Sequence, residues 1–396
     1  ENNNNNNQNQ GNAMQIGRGD VAIPHHNQWN EMLALQAWKA SITSDPNRIM
    51  DTWVGPDVCQ YGGVFCAPPP DGSCPSVVAG IDLNHMGIGG TLPEEIGLHL
   101  RYLALLHLNS NRFRGRIPLS ISYTTLPFLY ELDLSNNLFT GPFPSVLLTL
   151  PSLAYLDIRF NGFSGTLPAA LFTKEKLDAI FVNDNLFSGP LPPVLASCAA
   201  SVIVLANNRF VGSIPSGFAP GIALSLNELL FHGNFLDGCI PDEFARLTTL
   251  TVLDLSDNKL TGPLPPSFSA LRNLQQLNVA RNSLCGTIPD AVCRLPGLRN
   301  FTASGNFFTA EDPACVGSGI IVDPFRRFSF DDTRNCIPSR AFQRPPIDCN
   351  AYYNTYNKFS PTKCPAKVVN PQLPDLSRTL SNPFPSISSP PPHVHP

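Results

Sequence analysis

The chain has 396 residues, 42% hydrophobic and only 14% charged, with a formal net charge of −4. That balance argues against a nucleic-acid-binding surface, which needs clustered positive charge. No run of about 18 consecutive apolar residues marks a transmembrane helix. The 11 cysteines and 40 prolines fit an oxidising compartment and a chain broken often by turns.

Residues 1–28 open without Met, carry an Asn2–Asn7 run and hold little apolar content. They predict a disordered spacer on a mature chain whose signal peptide has been removed. Residues 29–74 read as an N-terminal cap. Trp29, Met32, Leu33, Leu35, Ala37, Trp38 and Ile42 recur at mixed helical spacing. They predict a helix over 29–43, ended by Asp45-Pro46. Cys59 and Cys66 flank Gly62-Gly63-Val64 and are predicted to pair. Their spacing lacks the C-x-x-C groups of a zinc site.

Residues 75–312 are a repeat. An asparagine returns at Asn111, Asn137, Asn161, Asn185, Asn208, Asn234, Asn258, Asn282 and Asn306, at intervals of 23–26 residues. An apolar pair precedes each, as in Leu132-Asp133-Leu134-Ser135-Asn136-Asn137. This L-x-L-x-x-N pattern is the core of a leucine-rich repeat. A degenerate unit, Ile81-Asp82-Leu83-Asn84-His85-Met86, precedes them. Each L-x-L should form a strand with both apolar residues turned inward. Each Asn should bond backbone of its own and the neighbouring coil, because a buried unpaired amide costs about 1–3 kcal/mol. A G-x-x-P motif follows, as in Gly165-Thr166-Leu167-Pro168 and Gly262-Pro263-Leu264-Pro265. Gly permits the turn and Pro blocks a long helix. The predicted fold is an α/β solenoid of the plant repeat subclass. It has about ten coils, a parallel concave sheet, short 3-10 or helical convex segments, and disulfide-closed caps.

Residues 313–366 read as a C-terminal cap with Cys315, Cys336, Cys349 and Cys364 in disulfides. Residues 367–396 form a proline-rich tail of polyproline II character. An odd cysteine count leaves one thiol free or paired with another chain. Asn300-Phe301-Thr302 is an N-glycosylation sequon, which agrees with secretion.

The chain contains no G-x-S-x-G, H-E-x-x-H or P-loop, so no residue set supports an enzyme, and no cofactor or metal is expected. The outward strand positions carry the acids Asp82, Glu131, Asp133, Asp157, Glu228 and Asp254, with Tyr155 and Phe181 among them. Arg159 is the one strong base in that set. Such a face suits a basic peptide with apolar anchors. The same acids also read as solvated repeat residues, and both readings stay open here.

Several segments go beyond a generic repeat. Among them are Ala34-Leu35-Gln36-Ala37-Trp38-Lys39, Gly63-Val64-Phe65-Cys66, Val78-Ala79-Gly80-Ile81-Asp82-Leu83-Asn84-His85, Leu156-Asp157-Ile158-Arg159-Phe160-Asn161 and Asn335-Cys336-Ile337-Pro338. Over residues 30–350 the chain resembles the leucine-rich repeat extensins of plant cell walls. The resemblance implies secretion to the wall or apoplast, a role in wall formation and cell growth, and no catalysis. It implies binding of rapid alkalinization factor peptides, which are small, basic and cysteine-containing. Contact with wall polysaccharide and a disulfide-linked homodimer are further implications. The family's long Ser-Pro region is reduced to Ser389-Pro390-Pro391-Pro392, which reads as an extensin-short member. Two competing readings are an inhibitor of microbial polygalacturonase, built on the same repeat subclass, and a purely structural wall protein.

Overall fold

The computed structural model describes residues 26–218, 225–317 and 328–356. The Asn-rich start up to residue 25, the proline-rich tail and Cys364 lie outside the described residues. The chain forms two compact units, residues 1–164 and 165–396.

In the first unit the cap helix is His26–Ser41. It buries Ala34, Leu35 and Trp38 completely. Trp38 meets Trp53 edge-on at 5.7 Å, and Trp53 stacks on Tyr61 at 5.7 Å. The helix ends before Asp45-Pro46, because the chain turns into a short strand, Ile42–Ser44, antiparallel to Gly89–Gly90. Gly90 is required there: a Cβ would lie 2.7 Å from the Ser41 carbonyl oxygen. The predicted Cys59–Cys66 bridge is present. It anchors on a strand, Val64–Ala67, that contains Cys66 and pairs antiparallel with Val77–Asp82. Parallel strands Leu105–His107, Glu131–Asp133 and Tyr155–Asp157 follow.

The apolar repeat positions face in. Leu106, Leu108, Leu132, Leu134, Leu156 and Ile158 are fully buried, each contributing roughly 1.5–3 kcal/mol. The extended segments after each Asn pair into a second parallel layer: Arg112–Gly115, Leu138–Pro142 and Gly162–Gly165. One buried phenylalanine from each strand stacks on the next, Phe113 to Phe139 at 6.4 Å and Phe139 to Phe163 at 6.3 Å.

The second unit repeats this plan. Strands Ala179–Phe181, Val202–Val204, Glu228–Leu230, Val252–Asp254, Gln276–Asn278 and Asn300–Thr302 pair in parallel. The convex side carries single-turn 3-10 segments such as Pro193–Ser197 and Pro266–Ala270. A further strand, Ser329–Asp331, extends the sheet beyond Asn300–Thr302. Its pattern was hidden because Asp332 stands at the second inward position. Arg340 Nε donates to Asp332 Oδ2 at 2.7 Å and also lies 2.8 Å from Glu311 Oε1. Asn335 takes the repeat asparagine's place there, donating to the Ala303 and Asp332 carbonyls at 3.0 and 2.9 Å.

The asparagine ladder is as predicted in both units. Asn137 Nδ2 donates to the carbonyls of Leu108, Leu134 and Ser135 at 2.8, 3.2 and 3.0 Å, and its Oδ1 accepts from Phe113 N at 2.9 Å. Asn282 makes the same set with Leu255, Val279, Ala280 and Leu260. The residue before the asparagine is left-handed, as at Asn136 (φ 53°) and Asp257 (φ 52°), a conformation that Asn, Asp and Gly tolerate best. The G-x-x-P glycines are also at positive φ, 91° at Gly115 and 80° at Gly262.

At the C-terminal end Cys336 pairs with Cys349, and Cys315 reaches back to Cys293 on the last convex helix. Cys239 is in a disulfide too, whereas Cys198 and Cys285 are not. Helix Pro346–Tyr356 lays Tyr352 flat on Phe307 at 3.7 Å, and Tyr352 Oη donates to Ser283 O at 2.7 Å. Tyr352 also meets Tyr353 edge-on at 5.1 Å, so both rings pack within the cap.

Candidate functional site

Parallel pairing sorts the outward residues of the first unit into three rows across the strands. Phe65, Gly80, Leu105, Glu131 and Tyr155 share the first row. Asp82, His107, Asp133 and Asp157 share the second. Asn84, Asn109, Ser135 and Arg159 follow, two residues further along each strand. Five of the sequence-selected residues, Asp82, Glu131, Asp133, Tyr155 and Asp157, therefore share one stretch of the sheet, with the Leu105–His107 strand between Asp82 and the other four.

Their environments differ. Glu131 Oε2 lies 3.0 Å from His107 Nε2, with both side chains partly exposed. Asp82 Oδ1 accepts from Asn84 N at 2.9 Å. Asp133 Oδ1 accepts from both Ser135 N and Ser135 Oγ, at 2.9 and 2.5 Å. These aspartates thus turn one oxygen to the chain two residues on, an Asx turn that ends the strand. Part of their role is structural, and the solvated-residue reading gains on that account.

Asp157 leaves the set of exposed acids. Its side chain is 0% exposed, with Arg159 Nε at 3.0 Å and the Tyr155 hydroxyl at 3.3 Å. Alternation along the strand placed it outward correctly, but these two neighbours cover it. Burial, and next the charge of Asp133, push its carboxyl up to about 7 despite Arg159. Burial also pushes the Tyr155 phenol up to about 12, with the Asp157 and Asp133 charges adding to it.

The second unit presents a different face. Phe181, Val204, Leu230 and Asp254 share one row, continued by Asn278, Thr302 and Asp331. Ala179, Val202, Glu228 and Val252 share the row before it. Its early strands are therefore an apolar floor interrupted by Glu228. Asp254 Oδ1 accepts from Ser256 N and Oγ, at 2.9 and 2.6 Å, and its Oδ2 accepts from Asn278 Nδ2 at 3.1 Å. The sequon residue Asn300 is exposed on this face, between Gln276 and Ser329.

Sequence reasoning missed the exposed end of the first unit's face. Phe65 is 60% exposed and Leu105 37% exposed, with the buried backbone of Gly80 between them. Phe65 sits on the cap strand, outside the repeat register that guided the search. Its alternation with buried Val64 was the available signal. Among the described residues, no group of three or more His, Cys, Asp or Glu side chains could hold a metal. No helix among them is long and apolar enough to cross a membrane.

Comparison with known proteins agrees with the repeat fold. Residues 30–67 match the leucine-rich repeat N-terminal domain, and residues 128–150 and 250–308 match leucine-rich repeats. Leucine-rich repeat extensin-like protein 6 of Arabidopsis thaliana is 48% identical over 320 residues, 81% of this chain and 65% of that protein. Leucine-rich repeat extensin-like protein 2 of the same plant is 54% identical over 101 residues, 26% of this chain and 12% of the relative. The chain thus spans less than two thirds of these relatives' length. Among solved structures, the ectodomain of the Arabidopsis receptor kinase HAESA, in complex with an N-terminally extended IDA peptide hormone, superposes with TM-score 0.59 at 26% identity, over 78% of this chain and 53% of that one. A plant ice-binding protein superposes with TM-score 0.60 at 25% identity, over 79% of this chain and 97% of its own.

Proposed function

We propose that this chain, whose repeat region belongs to the leucine-rich repeat extensin family, is an extracellular plant protein that binds basic, cysteine-containing peptides of the rapid alkalinization factor class on its inner face, and so takes part in cell-wall formation and growth. The observation that carries the reading is the first unit's acid row. Asp82 and Asp133 flank His107, and Glu131 stands one position away. A cationic peptide is steered to such a face, and the attraction falls as salt rises. The peptide hormone held by the HAESA ectodomain supports the use of this solenoid for peptides. Contact with wall polysaccharide and a homodimer belong to the same reading as proposals.

Calorimetric titration of the oxidised protein with an oxidised rapid alkalinization factor peptide, at low and physiological salt, tests it. Saturable binding that weakens with salt is the expected result. Glu131→Lys with Asp133→Lys should cost at least tenfold in affinity, or about 1.4 kcal/mol. No heat at either salt, from folded protein, would remove the reading. Inhibition of a purified polygalacturonase would then be measured.

A further inference from the structure

The outer end of the first unit's face has a shape that the acid row does not explain. Phe65 projects from the cap strand with 60% of its surface exposed, and Leu105 projects from the first regular coil with 37% exposed. The residue between them is Gly80, paired in register with both. Neighbouring strands lie about 4.8 Å apart, so the Phe65 and Leu105 backbones are roughly 9.6 Å apart with no side chain between them. The result is a slot with apolar walls and a backbone floor.

Glycine is not needed here for folding. Gly80 has no positive φ, and a Cβ built on it would make ordinary contacts of 3.7 Å, with Phe65 Cβ and with Leu105 Cβ. Elsewhere in the same unit glycine is forced by the backbone, as at Gly90. At Gly80 the backbone permits a side chain, and the glycine leaves a narrow gap between Phe65 and Leu105, into which Leu105 Cδ1 leans to within 3.8 Å of where a Cβ would sit. Two residues along the same strands stand Asp82 and His107, and the Glu131 carboxylate pairs with that histidine. Residues two apart on a strand are separated by roughly 6.7 Å, the scale of neighbouring side chains on an extended peptide.

We propose that the slot formed by Phe65, Gly80 and Leu105 receives one large apolar side chain of a bound peptide, and that the adjoining Asp82 and Asp133 receive a basic side chain next to it in the peptide. The occupant is an extended segment pairing an aromatic or large aliphatic residue with a Lys or Arg. The charge pattern beside the slot selects against acidic segments. This rests on the inner-face reading above and deepens it by naming where the apolar anchor sits.

The test uses a display library of random 12-residue peptides selected on the full oxidised protein, so it does not depend on any one natural ligand. Gly80→Val fills the slot without forbidden backbone and places a β-branched residue in a strand, which favours folding. Selected peptides should carry an apolar–basic pair and lose at least tenfold in affinity on Gly80→Val, while the variant keeps the wild-type melting temperature. Binders indifferent to Gly80→Val but weakened by Asp133→Lys would overturn the slot and leave the acid face standing. Binders indifferent to both variants would overturn the inner-face reading itself. A library that yields no binder preferring the wild type over Gly80→Val also overturns the slot.

Discussion

The inner faces of the two units share a frame and differ in what they display. In the first, the second row reads Asp82, His107, Asp133, Asp157; in the second, it begins Phe181, Val204, Leu230 before reaching Asp254. The ladder below is the same in both, down to the four bonds of Asn137 and of Asn282. Residues that hold the coil and residues that face outward therefore vary independently. The same repeat position can also change its duty. Asp157 is sealed under Arg159 and Tyr155, while Asp254 keeps 21% of its side chain exposed.

The hardest test of that contrast is to place the same side chain at both positions. Asp157→Lys puts an ammonium into a buried site beside Arg159 and should cost roughly 3–5 kcal/mol. Asp254→Lys loses hydrogen bonds at a partly exposed site and should cost only about 1–2 kcal/mol. Denaturant titration of the two variants checks this, and equal losses would erase the distinction between the units.

A smaller effect separates the faces by pH. The folded Asp157 carboxyl, at about 7, lies above its ordinary 3.8, so between those values the folded state binds a proton that the unfolded chain releases. Stability contributed there is complete at the acid end and is lost as pH rises through about 7, by an amount on the order of 2–4 kcal/mol. Glu31, pushed up to about 7 by its burial in the cap, adds a slope of the same sign. Asp331 on the second face moves the other way. Burial raises its carboxyl, but hydrogen bonds from Thr333 and Ser304 outweigh that and carry it below its ordinary value. Thermal melts from pH 4 to 7 should show stability falling in the wild type and a shallower fall in Asp157→Asn. An unchanged slope in that variant would place the effect elsewhere.

The smallest effect concerns the exposed Asn300. If a glycan sits there, glycosidase treatment of the protein expressed in plant cells shifts its mass, and Asn300→Gln abolishes the shift while changing stability by less than about 0.5 kcal/mol. An unmodified Asn300 would leave that position of the second face bare.

Much of this could be read from the chain because the repeat's signals are local. The period, the ladder asparagines, the turn glycines and the Cys59–Cys66 bridge each depend on a few neighbouring residues. What escaped depends on distant partners. The Ser329–Asp331 strand was concealed because its inward leucine is replaced by Asp332, which is acceptable only with Arg340 beside it. The Cys293–Cys315 pairing joins a convex turn to the following cap, and spacing alone does not select it. Strand alternation placed Asp157 outward but is blind to the side chains that close over it. The candidate site was legible as a set of positions, and the exposure of each position was not.

The asparagine ladder also has a mechanical meaning. Within each unit its bonds, like those between the strands, run from one coil to the next. A pull along the stack therefore loads coils in series, and each coil is held mainly by its two neighbours. Under such tension a coil yields by losing its bonds to one neighbour while the rest stay folded, and the disulfides Cys59–Cys66, Cys293–Cys315 and Cys336–Cys349 reinforce the capped ends. A coil of 24 residues, the interval from Asn258 to Asn282, releases roughly 80 Å of chain when drawn out. A chain built this way can yield in steps under stretch and lose its inner face one strand at a time.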